Sequence, residues 1–330
     1  MTNNPFDKVT EIYTPFEELV YVEKDSVFSE LYYKMTSLGV RHCPVIDPNT
    51  KECFTIVSRR DLVKVVPPGN MLIPQEVQDA TGIKISRSIL INLIDELGDQ
   101  KVGDLFPDRD LITVTPDDEI VKAVEVFSLR HNLGGKNMYI SGLPVIEGKK
   151  LLGFISYTDV LKKFIKHQDS FLKKTIDMIA TMSTEETPLS TLHKAQRLSD
   201  AFMRLQNYRS LPVVDKPRSN ILEGFVEDVQ LMACDHKKFT NQLSKLGVEH
   251  FMTPVERLYT PMSGTILKKC LDKFYDSSQG MYPPSTLAVC STEDGPVKQL
   301  LGVLSYVDIL KKWKEEFYSQ LRDTDSVEGT

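Results

Sequence analysis

The sequence predicts an α/β fold of the α+β kind, built from four successive copies of a β-α-β-β-α unit. Three observations carry this expectation. The phrase Leu152-Gly-Phe-Ile-Ser-Tyr-Thr-Asp-Val-Leu-Lys-Lys163 returns as Leu301-Gly-Val-Leu-Ser-Tyr-Val-Asp-Ile-Leu-Lys-Lys312, 149 residues on, with eight of twelve positions identical. A small or apolar residue, Pro, two β-branched residues and an acid recur as Cys43-Pro-Val-Ile-Asp47, Leu143-Pro-Val-Ile-Glu147 and Leu211-Pro-Val-Val-Asp215, with a degraded fourth copy at Leu287-Ala-Val-Cys-Ser291. An amphipathic segment with helical spacing precedes each of them. A period of this kind reveals architecture before any single motif reveals chemistry.

The elements follow in order. The helices are marked by Val27, Leu31 and Met35; by Ile120, Ala123, Val124 and Phe127; by Leu198, Ala201, Phe202 and Leu205; and by Ile266, Cys270, Leu271 and Phe274. Each leads to a short strand and a turn (Pro48-Asn49, Gly148, Lys216-Pro217, Glu293-Asp-Gly295), then to a second apolar run. Those runs are 54–57, 152–155, 222–226 and 301–304. Copies 1 and 3 carry Arg41 and Arg209 three residues before the Pro position, where copies 2 and 4 carry Ser141 and Ser285. The repeats are expected at 8–66, 101–166, 175–236 and 245–316. A linker at 67–100 holds a further helix marked by Ile89, Leu90, Leu93, Ile94 and Leu97, and 317–330 forms a polar tail.

Composition narrows the function. A net charge of −6 over 330 residues speaks against nonspecific nucleic-acid binding. No apolar stretch approaches the roughly 20 residues that span a bilayer, and Met1–Lys8 has no signal-peptide core. Five cysteines without C-x-x-C spacing suit neither a disulfide framework nor a zinc site. The expectation is a reduced, cytoplasmic protein with possible nuclear access, away from membranes and without a metal.

At the junction of second strand and following helix, copies 1, 2 and 4 carry Ser58-Arg-Arg-Asp61, Ser156-Tyr-Thr-Asp159 and Ser305-Tyr-Val-Asp308; copy 3 carries Glu227-Asp-Val-Gln230. One reading is a capping box, in which the hydroxyl accepts from a backbone N–H and the acid suits the positive helix end. The other is a nucleotide cradle, with a helix N-terminus and hydroxyl for phosphate and a carboxylate for the ribose hydroxyls. The two are compatible. Capping alone would accept Ser, Thr, Asp or Asn, so three Ser/Asp pairs point to more than a cap.

The Pro-Val-Ile-Asp strand followed by Leu-Gly-Phe-Ile-Ser-Tyr-Thr-Asp-Val-Leu resembles the cystathionine β-synthase (CBS) domain over nearly the whole chain. Lys101-Val-Gly-Asp-Leu-Phe106 and Val248-Glu-His-Phe-Met-Thr253 look like the segment that opens such a repeat. The resemblance implies paired repeats forming two Bateman modules, disc-like, whose clefts bind AMP, ADP, ATP or S-adenosylmethionine. It puts Asp61, Asp159 and Asp308 on the ribose, Ser58, Ser156 and Ser305 near phosphate or ribose, Thr115 and Thr260 at the adenine or ribose edge, and Arg41 and Arg209 on phosphate. Four copies with little else are similar to the gamma subunit of AMP-activated protein kinase, although the copy lacking its Asp is the third here and the second there. Glu227 and Gln230 leave three competent clefts.

Arg fits phosphate by forked hydrogen bonds, with solvated surface charge as the plain alternative for Arg41, Arg209, Arg59, Arg60 and His42. Residues 130–136 read as a surface loop, and Lys162-Lys163, Lys173-Lys174 and Lys311-Lys312 as cations at helix ends. Trp313, equivalent to Phe164, reads as packing. No G-x-S-x-G, H-E-x-x-H or local Cys/His signature occurs. The expected protein is a non-catalytic sensor of adenine nucleotides with no obligatory cofactor. It signals to a regulated partner, a kinase complex among the options, or acts as a homodimer. A ligand-blind adaptor, an S-adenosylmethionine sensor and a nucleotide hydrolase are the alternatives.

Overall fold

The computed structural model describes residues 6–59, 61–62, 97–133, 136–205, 208–227, 247–275, 284–291 and 297–327. The four recurrent phrases are strands: His42–Ile46, Gly142–Glu147, Ser210–Val214 and Thr286–Cys290. Their β-branched residues suit a buried pleated surface. Each pairs antiparallel with the next apolar run, Cys53–Ser58, Lys150–Ser156, Leu222–Glu227 or Leu300–Ser305. All four ladders shift register at the same position, after Val45, Val145, Val213 and Val289. A shared bulge is strong internal support for four copies of one unit.

The helices Phe28–Ser37, Ile120–Ser128 and Leu198–Leu205 fill the expected places. In the first, Phe28 takes the buried position that the spacing gave to Val27; Val27 precedes the helix and is exposed. Copy 4 departs further, with two short 3-10 helices, Leu267–Lys269 and Leu271–Phe274, in place of an α-helix. Its backbone bonds close over three residues, as from Cys270 N to Leu267 O and from Lys273 N to Cys270 O. Leu267, Cys270, Leu271 and Phe274 are still buried, because spacings of three and four suit the tighter helix too. Arg130–Leu133 pairs antiparallel with Lys136–Tyr139, so these segments are strands rather than loop. The expected helix near 89–97 falls almost wholly outside the described residues, as do Arg60 and Gln230.

The segments that open the repeats cross over to the partner copy. Thr14–Pro15 pairs with Phe154 and Gly153 of copy 2, Thr181–Met182 with Val303 and Gly302 of copy 4, and Thr253–Pro254 with Phe225 and Gly224 of copy 3. A Cβ on Gly153 would lie 2.4 Å from Thr14 O, and one on Gly224 2.4 Å from Thr253 O. On Gly302 it would lie 2.9 Å from Thr181 O. Glycine stands there because another backbone passes at contact distance. Copy 1 has Thr55 at the equivalent position, and no described opening strand pairs there. Instead Arg109, after the opening segment of copy 2, donates to Thr55 Oγ1 at 2.9 Å and to Ile56 O at 3.1 Å.

Copies 2 and 4 share the largest hydrophobic core, which runs from Val124 and Phe127 through Tyr157 and Tyr306 to Trp313. The long helix Tyr306–Val327 carries Trp313 against Phe164, ring centroids 5.0 Å apart, so the packing expectation holds. Copy 1 has a separate core around Phe28, Leu31, Met35 and Val57.

Candidate ligand-binding corners

The three Ser-x-x-Asp corners are built alike. The Ser58 and Ser156 N–H groups each donate to Oδ2 of Asp61 and Asp159 at 2.9 Å, and Ser305 N–H to Oδ2 of Asp308 at 2.8 Å. Each serine Oγ donates to the same Oδ2, at 2.6 Å in copies 1 and 2. The aspartate N–H returns to the serine Oγ at 3.3 to 3.4 Å. Ser156 meets both conditions of a capping box. The structural role is therefore real, and it occupies Oδ2.

The other oxygen, Oδ1, distinguishes the corners. In copy 4 it accepts from Thr181 Oγ1 at 2.8 Å, on the opening strand of copy 3. In copy 2 it lies 3.8 Å from Lys163 Nζ, which also donates to Ile12 O at 2.8 Å. In copy 1 it lies 3.7 Å from Arg109 Nη1. Burial raises the Asp308 carboxyl above its ordinary value, against the lowering effect of the Ser305 and Thr181 hydrogen bonds. Copy 3 is different: Glu227 reaches into copy 4, where Oε1 accepts from Ser285 N at 3.0 Å and Ser285 Oγ at 3.3 Å.

Arg41 and Arg209 both reach side chains of neighbouring copies. Arg41 Nη1 donates to the Tyr157 hydroxyl at 2.7 Å. Arg209 Nη2 donates to Ser141 Oγ, which lies 2.6 Å from His42 Nε2. Tyr157 and Tyr306 stack with centroids 4.0 Å apart. Arg41, Arg209 and His42 are thus half-buried groups of the centre rather than solvated surface charges. Arg59 is buried and turned inward, donating to Gly39 O at 2.6 Å and Val40 O at 3.2 Å. Thr115 is exposed and gives its N–H to Asp118 Oδ2 at 2.7 Å; Thr260 is half-buried beside the Pro261 carbonyl that accepts from Cys290. No hydrogen bond among the described residues brings either threonine onto a corner.

Sequence reasoning missed Thr181, Arg109, Tyr157 and Tyr306. A signal for Thr181 existed in the recurrence of Thr14, Thr181 and Thr253 in the opening segments. The tyrosines stood at an unspecified position of the repeated phrase. Among the described residues no cluster of His, Cys, Asp and Glu could hold a metal ion, and no helix is long and apolar enough to cross a membrane. Burial pushes the Cys43 and Cys53 thiols up to about 12, which leaves them protonated and unreactive at neutral pH.

Residues 102–166 match the family described as CBS domain. No curated protein sequence matches the chain. Among solved structures, a Methanocaldococcus jannaschii protein, a proposed archaeal homologue of g-AMPK, aligns over 93% of this chain and 100% of its own. The TM-score is 0.67 at 17% identity. An uncharacterized conserved protein from Pyrococcus horikoshii aligns over 92% of this chain and 99% of its own, with TM-score 0.52 and 17% identity. These likenesses show the fold.

Proposed function

We propose that this chain, a tandem CBS-fold protein, is a non-catalytic regulator that binds adenine nucleotides at its Ser-x-x-Asp corners and passes their occupancy to a protein partner, with a protein kinase as one candidate. The observation that carries the reading is the threefold construction of one corner. A carboxylate is fixed by its own serine through Oδ2, while Oδ1 faces Arg109 in copy 1, Lys163 in copy 2 and Thr181 in copy 4. A ribose hydroxyl would meet Oδ1 beside these partners. Arg41 and Arg209 lie against Tyr157 and Tyr306, the residues that follow Ser156 and Ser305, and are cations suited to a phosphate. Thr115 and Thr260 are assigned to the base or ribose edge by the family resemblance alone. The repeat boundaries follow the same reading, with the opening segments of copies 1, 3 and 4 serving the neighbouring copy.

Binding acts by linkage. A ligand that prefers one arrangement of the paired copies shifts the population by no more than its differential affinity. Thermal unfolding of the full chain with AMP, ADP, ATP and S-adenosylmethionine tests the reading, since a ligand of the native state raises the apparent stability. A shift with one of them, lost in Asp159→Ala and Asp308→Ala, is expected. No shift with any of the four would favour a second reading, supported by the occupied Oδ2 atoms: an adaptor whose corners only cap helices.

A further inference from the structure

At the centre, the residue that follows the corner serine is Tyr157 in copy 2 and Tyr306 in copy 4. Both rings are withdrawn from water, at 1% and 2% exposure, and they stack at 4.0 Å with 16° between their planes. Each ring carries an arginine from the preceding copy. The Arg41 guanidinium carbon lies 5.7 Å from the Tyr157 centroid, and that of Arg209 lies 5.3 Å from the Tyr306 centroid. Both distances fall within the reach of a cation–π contact, which strengthens when water is excluded. Arg41 is further fixed by the Tyr157 hydroxyl at 2.7 Å, and Arg209 by Ser141. Copy 1 has no such arrangement, because Arg59 occupies the tyrosine position and turns toward the Gly39 and Val40 carbonyls.

We propose that Tyr157 and Tyr306 are positioning residues that select phosphorylated over uncharged adenosine ligands, by fixing where Arg41 and Arg209 present their charge to the corners of copies 2 and 4. The inference rests on the nucleotide reading above and deepens it. A long, flexible arginine loses little further freedom on meeting a phosphate when it is already held by a ring. The selectivity is then a property of the tyrosines, although neither need touch the ligand. Since the rings also touch each other, the two corners share one support.

The test compares AMP with adenosine by calorimetry on the full chain. Tyr157→Phe keeps the stacked ring and removes the acceptor for Arg41. It is expected to weaken AMP binding about fivefold, the effect of about one lost hydrogen bond, with adenosine changed less than about twofold. Tyr306→Leu removes the ring beneath Arg209 and is expected to cost AMP about tenfold, again sparing adenosine. An unchanged ratio of AMP to adenosine affinity in both variants overturns the proposal. An equal fall for both ligands overturns it too, because it marks a purely structural role. If Tyr306→Leu does not fold, Tyr157→Phe decides alone. Wild-type protein that binds neither ligand would instead overturn the nucleotide reading, and this inference with it.

Discussion

Copies 1 and 4 end their second strand in the same latch, Ser58 with Asp61 and Ser305 with Asp308, at nearly the same distances. Everything around the latch differs. Copy 4 has Gly302 beneath a crossing strand, Thr181 on Asp308 Oδ1 and Tyr306 in the central stack. Copy 1 has Thr55 with no described strand across it, Arg109 near Asp61 Oδ1, and Arg59 turned inward. The latch is thus a constant of the unit, set by helix capping. What each corner can receive is decided by the chain that the neighbouring copy lays over it. Copy 3 extends the lesson, since Glu227 spends its carboxylate on Ser285 of copy 4.

The largest effects should come from the crossing points. Gly302→Val and Gly153→Val force a side chain into the passing backbone and are expected to cost about 3 kcal/mol or more. Thr55→Val, nearly isosteric, loses only the Arg109 hydrogen bond and should cost about 1 kcal/mol. Urea unfolding of the three variants checks the contrast, and equal costs would erase it.

Next come the carboxylates. Asp308→Asn should lower nucleotide affinity at that corner about tenfold, or about 1.4 kcal/mol. Lowering the pH should mimic the substitution. Because burial raises the Asp308 carboxyl, affinity at copy 4 should start to fall at a higher pH than a carboxyl at the ordinary 3.8 would give. Calorimetry across a pH series, in a variant whose other corners are disabled, reads this directly. A fall only below 3.8 would contradict it.

Glu227→Gln keeps an acceptor for Ser285 but discards the charge, and should cost about 1 kcal/mol in chemical denaturation. A stabilised Glu227→Gln would mean that the carboxylate serves a ligand rather than the fold. The smallest effect is expected far from any corner. Lys24 and the Asn49 and Thr50 N–H groups hold the Asp47 carboxyl down at about 2, against an ordinary 3.8. A depressed acid contributes stability that is present above 3.8 and lost as pH falls toward 2. Lys24→Met should raise that value, as NMR titration of Asp47 would show.

How much of this was legible follows from particular residues. Pro-Val-Ile-Asp marks strands because β-branched residues followed by a turn leave few alternatives, and all four strands lie where the phrase put them. The corner aspartates were legible because a cap obeys local spacing. The crossing of opening strands was not, since local spacing does not state which copy a segment joins; yet Gly153, Gly224 and Gly302 carried its trace. Nor was the centre. Arg41, Tyr157, Arg209 and Tyr306 come from four copies, and no sequence window holds two of them. The α-helix expected in copy 4 failed for a different reason, because its burial pattern satisfies two kinds of helix.

The exchanged opening strands also set how the chain must fold. Thr14 finds its partner at Phe154, about 140 residues later, so the first segment made is among the last to be placed. Pairings of such separation raise contact order and slow folding, because loop closure precedes any reward. During synthesis, Thr14–Pro15 waits without its sheet until copy 2 has left the ribosome. Copy 4 cut from this chain alone would expose Gly302 at a sheet edge and carry Thr253–Pro254 with nowhere to dock. The smallest piece able to fold cooperatively is therefore a pair of repeats.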